Sequence, residues 1–562
     1  MFMAAILLFL LSWLVPLHFP PWVSWHTEGL AFFAVFISAW MMIARSLGQS
    51  QKTRAIKVPL LIWPFVVLAV LAVIQGIVGL MPFWGDVVVI WFYAALCITC
   101  LTLGLATRAN SSATERSFGS SITWLALAFV FVGVASTVVA FAQTFELWEH
   151  SSWIVRMPSP RRPGGNLAQA NHLATLLLMA CASVVFLYES KKTSAALSLF
   201  ILALFCLGLA VTESRTGGLS LAVLLTWWLF KRPAIGSRVS AWWAAVVAGT
   251  FALFYVTWPT FFNAFYFQTN EQGARLDVSG SRFELWRQML EAVSLRPWSG
   301  WGIREVAKAH NQVVDRYASS LPLTYSHNFF LDLAVWVGVP LAVVFIVAGA
   351  AWLWRRVKRI NSLQPWFCLA VALPFAVHSQ LEFPFAYAYF LAPVMFLLGY
   401  MEAALGTPPL FKVKLPLAAG ALLVTSALLV WSAVEYFKIE EDFRIVRFEA
   451  MHIGQTPATY QKPDVVLLTQ LGALLEGGRI SPKPGMSADE LLLTKNVALR
   501  YPWTATQNRY ALSLALNGDP DEALRQLRVM RVMHGEKTYQ QIKANWKDRA
   551  HKYPQLLEIK LP

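Results

Sequence analysis

Residues 58–80 read VPLLIWPFVVLAVLAVIQGIVGL, a run without a single ionisable side chain. A helix of about 20 such residues crosses the ~30 Å hydrocarbon core of a bilayer. A helix that is apolar on every side has no face to give to water, which points to lipid rather than to a soluble core. Arg54 and Lys57 flank the run on one side, whereas residues 81–85 on the other side hold no Lys or Arg. One span and its direction are therefore written into one short stretch.

Moving outward from it, similar runs fall at about 2–18, 28–44, 86–106, 122–143, 171–188, 196–213, 217–230, 240–258, 328–353, 365–380, 384–404 and 415–434. The chain is 57% hydrophobic and only 14% charged over its 562 residues. Soluble proteins carry about 25% charged residues. The expected fold class is all-α, a polytopic membrane bundle of about 12–13 spans. The first run lacks a basic leader and a small-residue cleavage site, so it reads as the first membrane helix rather than as a signal peptide. Cys97, Cys100, Cys181, Cys206 and Cys368 all lie inside apolar runs. They read as small buried residues, with no disulfide framework and no zinc site.

Charge sorts the loops. Arg45, Lys52, Arg54 and Lys57 share one loop, and Arg108 and Arg116 the next alternate one. Then follow Lys191 with Lys192, Lys231 with Arg232 and Arg238, Arg355 with Arg356, Lys358 and Arg359, and Lys412 with Lys414. Every second loop is basic, as the preference of Lys and Arg for the cytoplasmic side predicts for an N-in topology. This pattern accounts for the net charge of +15 without nucleic acid, for which there is no motif. The segments 144–170, 214–216, 259–327 and 381–383 then face the outer side, as does the tail.

The 259–327 loop is long, and long ordered loops are often functional. Ser281 and Glu284 have capping-box spacing, and Phe283, Trp286, Leu290 and Val293 recur at helical intervals. That pattern predicts an amphipathic helix with Arg282 at its first position. Two domains are expected: a transmembrane domain over 1–434 and a helical tail over 435–562. In the tail, residues 504–532 predict a helix, a turn at Asn517-Gly518, and a second helix capped by Asp519, with Pro520 and Glu522 behind it. The pair has the form of one tetratricopeptide-type hairpin, which must pack against other helices to bury its face.

The polar groupings all fall on the outer side. Arg215 ends a span in TESRTGG (212–218). Arg282 begins the loop helix. His327 opens the span at SHNFF, with Ser326 as the expected cap. GGNLAQANHLA (164–174) holds Asn166, Gln169, Asn171 and His172, and HSQLEFPFAYAY (378–389) holds His378, Glu382, Tyr387 and Tyr389. Two arginines reaching one cavity suit a pyrophosphate, because guanidinium bonds phosphate in a bidentate manner. A neutral imidazole can take a proton from a hydroxyl. No nucleotide-binding loop and no metalloprotease or paired-carboxylate motif is present, so the energy must come from an activated substrate or a gradient.

These same stretches, SPRRPGGNLAQANHLA, TESRTGGL, Arg282-x-x-x-Trp286 followed by Pro297, Gly300 and Gly302, SHNFFLDLAVWVGVP and HSQLEFPFAYAYFL, together resemble the PglL-type bacterial protein O-oligosaccharyltransferases of the O-antigen ligase/polymerase superfamily. One departure is Ala170, where many relatives have Pro. The resemblance implies a bacterial inner-membrane enzyme, active at the periplasmic face and independent of cofactors and divalent metal. It implies transfer of a glycan en bloc from undecaprenyl pyrophosphate to a Ser or Thr hydroxyl of a protein such as a type IV pilin. It further implies that Arg215 and Arg282 hold the pyrophosphate and that His327 is the essential histidine. Gln169 and Tyr387 or Tyr389 match positions thought important in the family, and Asn166 and His172 are further substrate-binding candidates. A lipopolysaccharide O-antigen ligase or an O-antigen polymerase would share these residues and differ in acceptor. A transporter or flippase is disfavoured because there is no internal repeat and no carboxylate buried mid-span.

Overall fold

A computed structural model describes residues 2–47, 55–109, 121–157, 161–265 and 278–559. Lys52, Arg54 and Arg116 of the basic loops lie outside the described residues, as does 266–277 of the long loop. Among the described residues the chain is helical apart from one two-stranded ribbon. Eight helices are long and apolar enough to cross a membrane: Trp25–Leu47, Leu60–Ile77, Trp84–Ala109, Ser121–Thr144, Ala170–Glu189, Trp243–Ala264, Val339–Arg359 and Leu415–Ala450. Four shorter apolar helices join them, Ala4–Leu14, Ala195–Val211, Leu363–Ser379 and Ala388–Ala404. The expected 217–230 span lies within the helix Arg215–Ile235, which is not among these apolar helices. The expected bundle is what forms, and the five cysteines are buried and free.

The chain divides into two compact units. The first holds Met1–Val66, Phe92–Gly273 and Gly349–Leu428, and the second Val67–Trp91, Ala274–Ala348 and Leu429–Pro562. In the first unit, Leu173, Ala174, Leu176 to Ala180 and Ala182 to Val184 of Ala170–Glu189 are almost completely buried, making that helix the centre of the bundle. Glycines bring other helices into backbone contact. A Cβ on Gly104 would lie 1.9 Å from the Phe396 carbonyl oxygen, and one on Gly399 would lie 2.0 Å from that of Leu101. Such close approach maximises dispersion contact where lipid supplies no hydrophobic drive between helices. On the basic side, strand β1 (Ala55–Val58) pairs antiparallel with β2 (Phe411–Lys414), setting Lys57 opposite Lys412. Arg356, one of the basic loop residues, is buried and forms a bidentate pair with Glu402 at 2.7 and 2.8 Å.

The second unit contains the long loop and the tail. The loop helix runs Val278–Leu295, so it starts before Ser281, and Arg282 lies one turn inside it rather than at its first position. Its buried face is Leu285, Met289, Ala292 and Val293, while Phe283 and Leu290 point outward. The expected 328–353 span is two helices, Phe329–Val337 and Val339–Arg359. They break at Gly338, where φ is +81° and a Cβ would meet the Trp298 carbonyl oxygen at 2.3 Å. The helix Leu415–Ala450 continues past the expected end of the last span. Glu435 on it accepts the backbone N–H groups of Val466, Leu467 and Leu468. Asp86 receives the Arg500 guanidinium in a bidentate pair at 2.8 Å, fully buried.

The tail hairpin forms as expected. Thr504–Leu516 is followed by Pro520–Ala550, and the Asp519 carboxylate accepts the Glu522 N–H at 3.2 Å. Its face is buried partly against residues 306–316 of the loop. Arg525 donates to the Asn311 backbone oxygen at 2.8 Å, and Gln526 to the Asn311 side chain at 3.1 Å.

Candidate functional site

The segment before Ala170–Glu189 is fixed by two amides. Gln143 donates to the carbonyls of Val155 and Gly165 and accepts the Gly165 N–H, all at 2.9 Å. Asn166, buried, gives both amide hydrogens to backbone carbonyls, Leu14 at 2.7 Å and Trp153 at 2.8 Å, and accepts the Val155 N–H. Its visible work is to hold the loop. Gln169 then stands at the cap position of the helix, in extended conformation.

Gln169 and Asn171 converge on one carboxylate. Glu382, from the segment after Leu363–Ser379, accepts Gln169 Nε2 at 2.6 Å and Asn171 Nδ2 at 2.7 Å. His378, one helical turn before Glu382, lies 4.0 Å from it and bonds Thr175 Oγ1 at 2.8 Å. His172 is buried. Its Nδ1 is 3.1 Å from the Tyr389 hydroxyl, and its ring stands 4.6 Å from that of Tyr387, edge to face. Among the expected residues Gln169 thus bonds Glu382, and His172 stands against Tyr387 and Tyr389.

Arg215 is tied to the same group through the backbone. The Ser214 hydroxyl donates to Asn171 Oδ1 at 2.6 Å and accepts the Gly217 N–H at 2.9 Å, capping Arg215–Ile235. Arg215, at the first helical position, is exposed. Glu213 receives Arg161 at 2.8 Å, and Arg162 donates to the Thr212 carbonyl at 3.4 Å. The positive helix end and the guanidinium groups together favour an anion here. Arg161 and Ser214 are the members that a search for single reactive side chains passes over. The signal for the first was the Arg-Arg-Pro preceding GGN.

The second unit holds Arg282 and His327. Trp286, one turn on from Arg282, donates its indole N–H to the Ser326 carbonyl at 3.1 Å. Ser326 is not the cap. Its N–H is accepted by the buried Asp332 carboxylate at 2.7 Å and its hydroxyl donates to the Asn328 carbonyl at 2.9 Å. Asn328 is the cap, accepting the Leu331 N–H at 3.1 Å. Between them His327 has φ +59°, a left-handed conformation that costs a residue with a Cβ about 1–3 kcal/mol and that the neighbouring bonds enforce. The helix face bearing Arg282 and Trp286 is thereby fastened beside His327.

Three family models match parts of this chain: a protein glycosylation ligase over residues 163–188, an O-antigen ligase over 199–346, and the C-terminal part of a virulence factor membrane-bound polymerase over 366–548. The chain is 23% identical over 547 residues to a general O-oligosaccharyltransferase of Acinetobacter baylyi, covering 93% of this chain and 90% of that one. It is 28% identical over 366 residues to a ComP-specific O-oligosaccharyltransferase of the same organism, covering 63% of each. No solved structure matches. At family level these relatives support a glycosyltransferase of the O-oligosaccharyltransferase and O-antigen ligase kind.

Proposed function

We propose that this relative of the O-oligosaccharyltransferases and O-antigen ligases moves an oligosaccharide en bloc from undecaprenyl pyrophosphate to a Ser or Thr hydroxyl of an exported protein, a pilin-like acceptor among them. The alternation of basic loops supports an inner-membrane chain whose site faces the periplasm. The observation that carries the reading is the exposed Arg215 at a capped helix start, held through Ser214 to the Asn171–Glu382 group. Such a group suits a polyanionic leaving group next to amides that can bond a sugar.

In this reading Arg215 and Arg282 take up the charge that grows on the pyrophosphate as the anomeric C–O bond breaks. The acceptor oxygen attacks from the opposite face, inverting the anomeric centre, and its proton passes to His327. Gln169, His172, Tyr387 and Tyr389 line the sugar side, and Asn166 supports them through the loop. The reaction draws on the activated donor alone.

The test is transfer in a glycosylation-null bacterium supplied with a lipid-linked glycan and a candidate pilin, read by intact pilin mass. A glycan-sized gain with the wild type that is lost in His327→Ala and Arg215→Ala is the expected result. A new ladder on lipopolysaccharide with unmodified pilin moves the acceptor to a lipid and overturns the protein-acceptor reading. Full transfer by His327→Ala overturns the assignment of the base.

A further inference from the structure

One buried carboxylate of the second unit has no part in the steps above. Asp332 lies in the first turn of Phe329–Val337 and is fully buried. It does not cap its own helix, since Asn328 does so and the Asp332 N–H closes the first turn onto the Asn328 carbonyl at 2.9 Å. The carboxylate reaches outside the helix instead, where Oδ1 accepts the Ser326 N–H at 2.7 Å. Its other oxygen has no hydrogen-bond partner among the described residues.

The far end of that bond is the residue before His327. Ser326 is held at both of its backbone groups by side chains from two different helices: Asp332 takes its N–H, and the Trp286 indole donates to its carbonyl at 3.1 Å. Its hydroxyl crosses His327 to the Asn328 carbonyl at 2.9 Å. These bonds bracket His327, whose φ of +59° is one that an unrestrained chain leaves. The helix that carries Asp332 is itself fixed. The Val335 carbonyl accepts the Trp301 N–H at 2.7 Å, and the Trp336 carbonyl accepts Gln75 Nε2 at 2.8 Å. A rigid element therefore sets the direction in which the half-buried His327 side chain leaves the backbone.

We propose that Asp332 and Trp286 are positioning residues for His327, acting on it through the two backbone groups of Ser326. The proposal rests on the reading of His327 as the base. When either hold is lost, the chain at 326–328 relaxes and the imidazole moves out of line with the acceptor hydroxyl. The arginines that take the donor are untouched, so the cost falls on the proton-transfer step and not on donor binding.

The test uses the full chain in proteoliposomes with a lipid-linked glycan and an acceptor that the wild type glycosylates, read by acceptor mass. Asp332→Ala leaves the Ser326 N–H without an acceptor. It should lower kcat about a hundredfold, the scale of a misplacement of about 1 Å, with the donor KM within about twofold of wild type. Trp286→Phe removes only the indole donor and should lower kcat about three- to tenfold at the same KM. Asp332→Asn keeps an acceptor oxygen and should return kcat to within about threefold of wild type, which separates the lost bond from a loss of the fold. In a His327→Ala chain, whose slow residual transfer is followed over hours, Asp332→Ala should cost no more than about a further twofold, because the residue it acts through is gone. Wild-type kcat in Asp332→Ala, a change confined to the donor KM, no recovery in Asp332→Asn, or the full loss repeated in the His327→Ala chain overturns the proposal. Wild-type transfer by His327→Ala is a different result, which removes the base itself.

Discussion

Glu382 gives the sharpest test of how the transfer residues are organised. It is 7% exposed and accepts two amide N–H groups, from Gln169 at 2.6 Å and Asn171 at 2.7 Å. A carboxylate serves both donors because each of its oxygens is an acceptor. In Glu382→Gln one of these positions becomes an NH2, so whichever way the amide turns, a donor faces a donor. The loss is one hydrogen bond to a charged group, about 1.5–3 kcal/mol, or roughly 10- to 150-fold in kcat/KM if these amides are positioned for the transition state. Asn171→Asp alone sets two carboxylates against each other, which cannot both stay ionised at this distance, and should lose at least as much. Glu382→Gln and Asn171→Asp combined restore the pattern. The new amide then donates to the new carboxylate and accepts from Gln169, while that carboxylate keeps the Ser214 hydroxyl. Initial rates of glycan transfer in proteoliposomes, read by acceptor mass, should return to within about threefold of wild type. Wild-type rates in Glu382→Gln alone would refute the reasoning. So would a double variant as slow as the product of the singles, since the charge at position 382 would then be used directly.

Three further outcomes follow from geometry. Asp86 holds both Arg500 and, at 3.2 Å, Arg304. Removing it in Asp86→Leu leaves two cations, and should destabilise the second unit by about 3–5 kcal/mol, more than Arg500→Leu, which leaves Arg304 in place. Pulse proteolysis of the tail measures the difference. Burial holds the His310 imidazole down to about 3, with Gln288 Oε1 at 2.8 Å as its partner. The unfolded chain therefore takes up this proton first. The stabilisation is complete above pH 6.5 and falls as pH drops toward 3, by about 2 kcal/mol at pH 5. Glu305, pushed up to about 7 by burial, acts in the opposite sense, so the measurement is the pH slope of wild type minus that of His310→Gln. Gly338→Ala should abolish folded protein in the membrane fraction, because its Cβ meets backbone at 2.3 Å at a positive φ, whereas Gly349→Ala has open space and should be tolerated.

The bundle was legible because hydropathy and loop charge act residue by residue and need no partner. The tail hairpin was legible for a related reason, since Asp519, Pro520 and Glu522 set its second helix locally. What escaped were features made by residues far apart in the chain. Hydropathy runs smoothly through Gly338; the break comes from the Trp298 carbonyl pressed against it and from Pro340 two residues on. Ser326 and Asn328 are equally good caps on paper, and Asp332 decides between them by taking the Ser326 N–H. Glu382 read as one polar residue among several, because its two amide partners lie more than 200 positions earlier. Asn166 and Gln169 looked alike in sequence, yet one is committed to the backbone and the other to that carboxylate.

The small β1–β2 ribbon has a consequence for biosynthesis. It joins Ala55–Val58 to Phe411–Lys414, so the edge beside the second membrane helix stays open until translation has gone about 350 residues further. At roughly 5–20 residues per second that is a wait of about 20–70 s. During it the early helices sit in the membrane with β1 unpaired and available to other chains. Lys57 at its centre, a charge on an exposed strand edge, is the kind of residue that discourages such pairing. It ends opposite Lys412, so two like charges face each other across the finished ribbon.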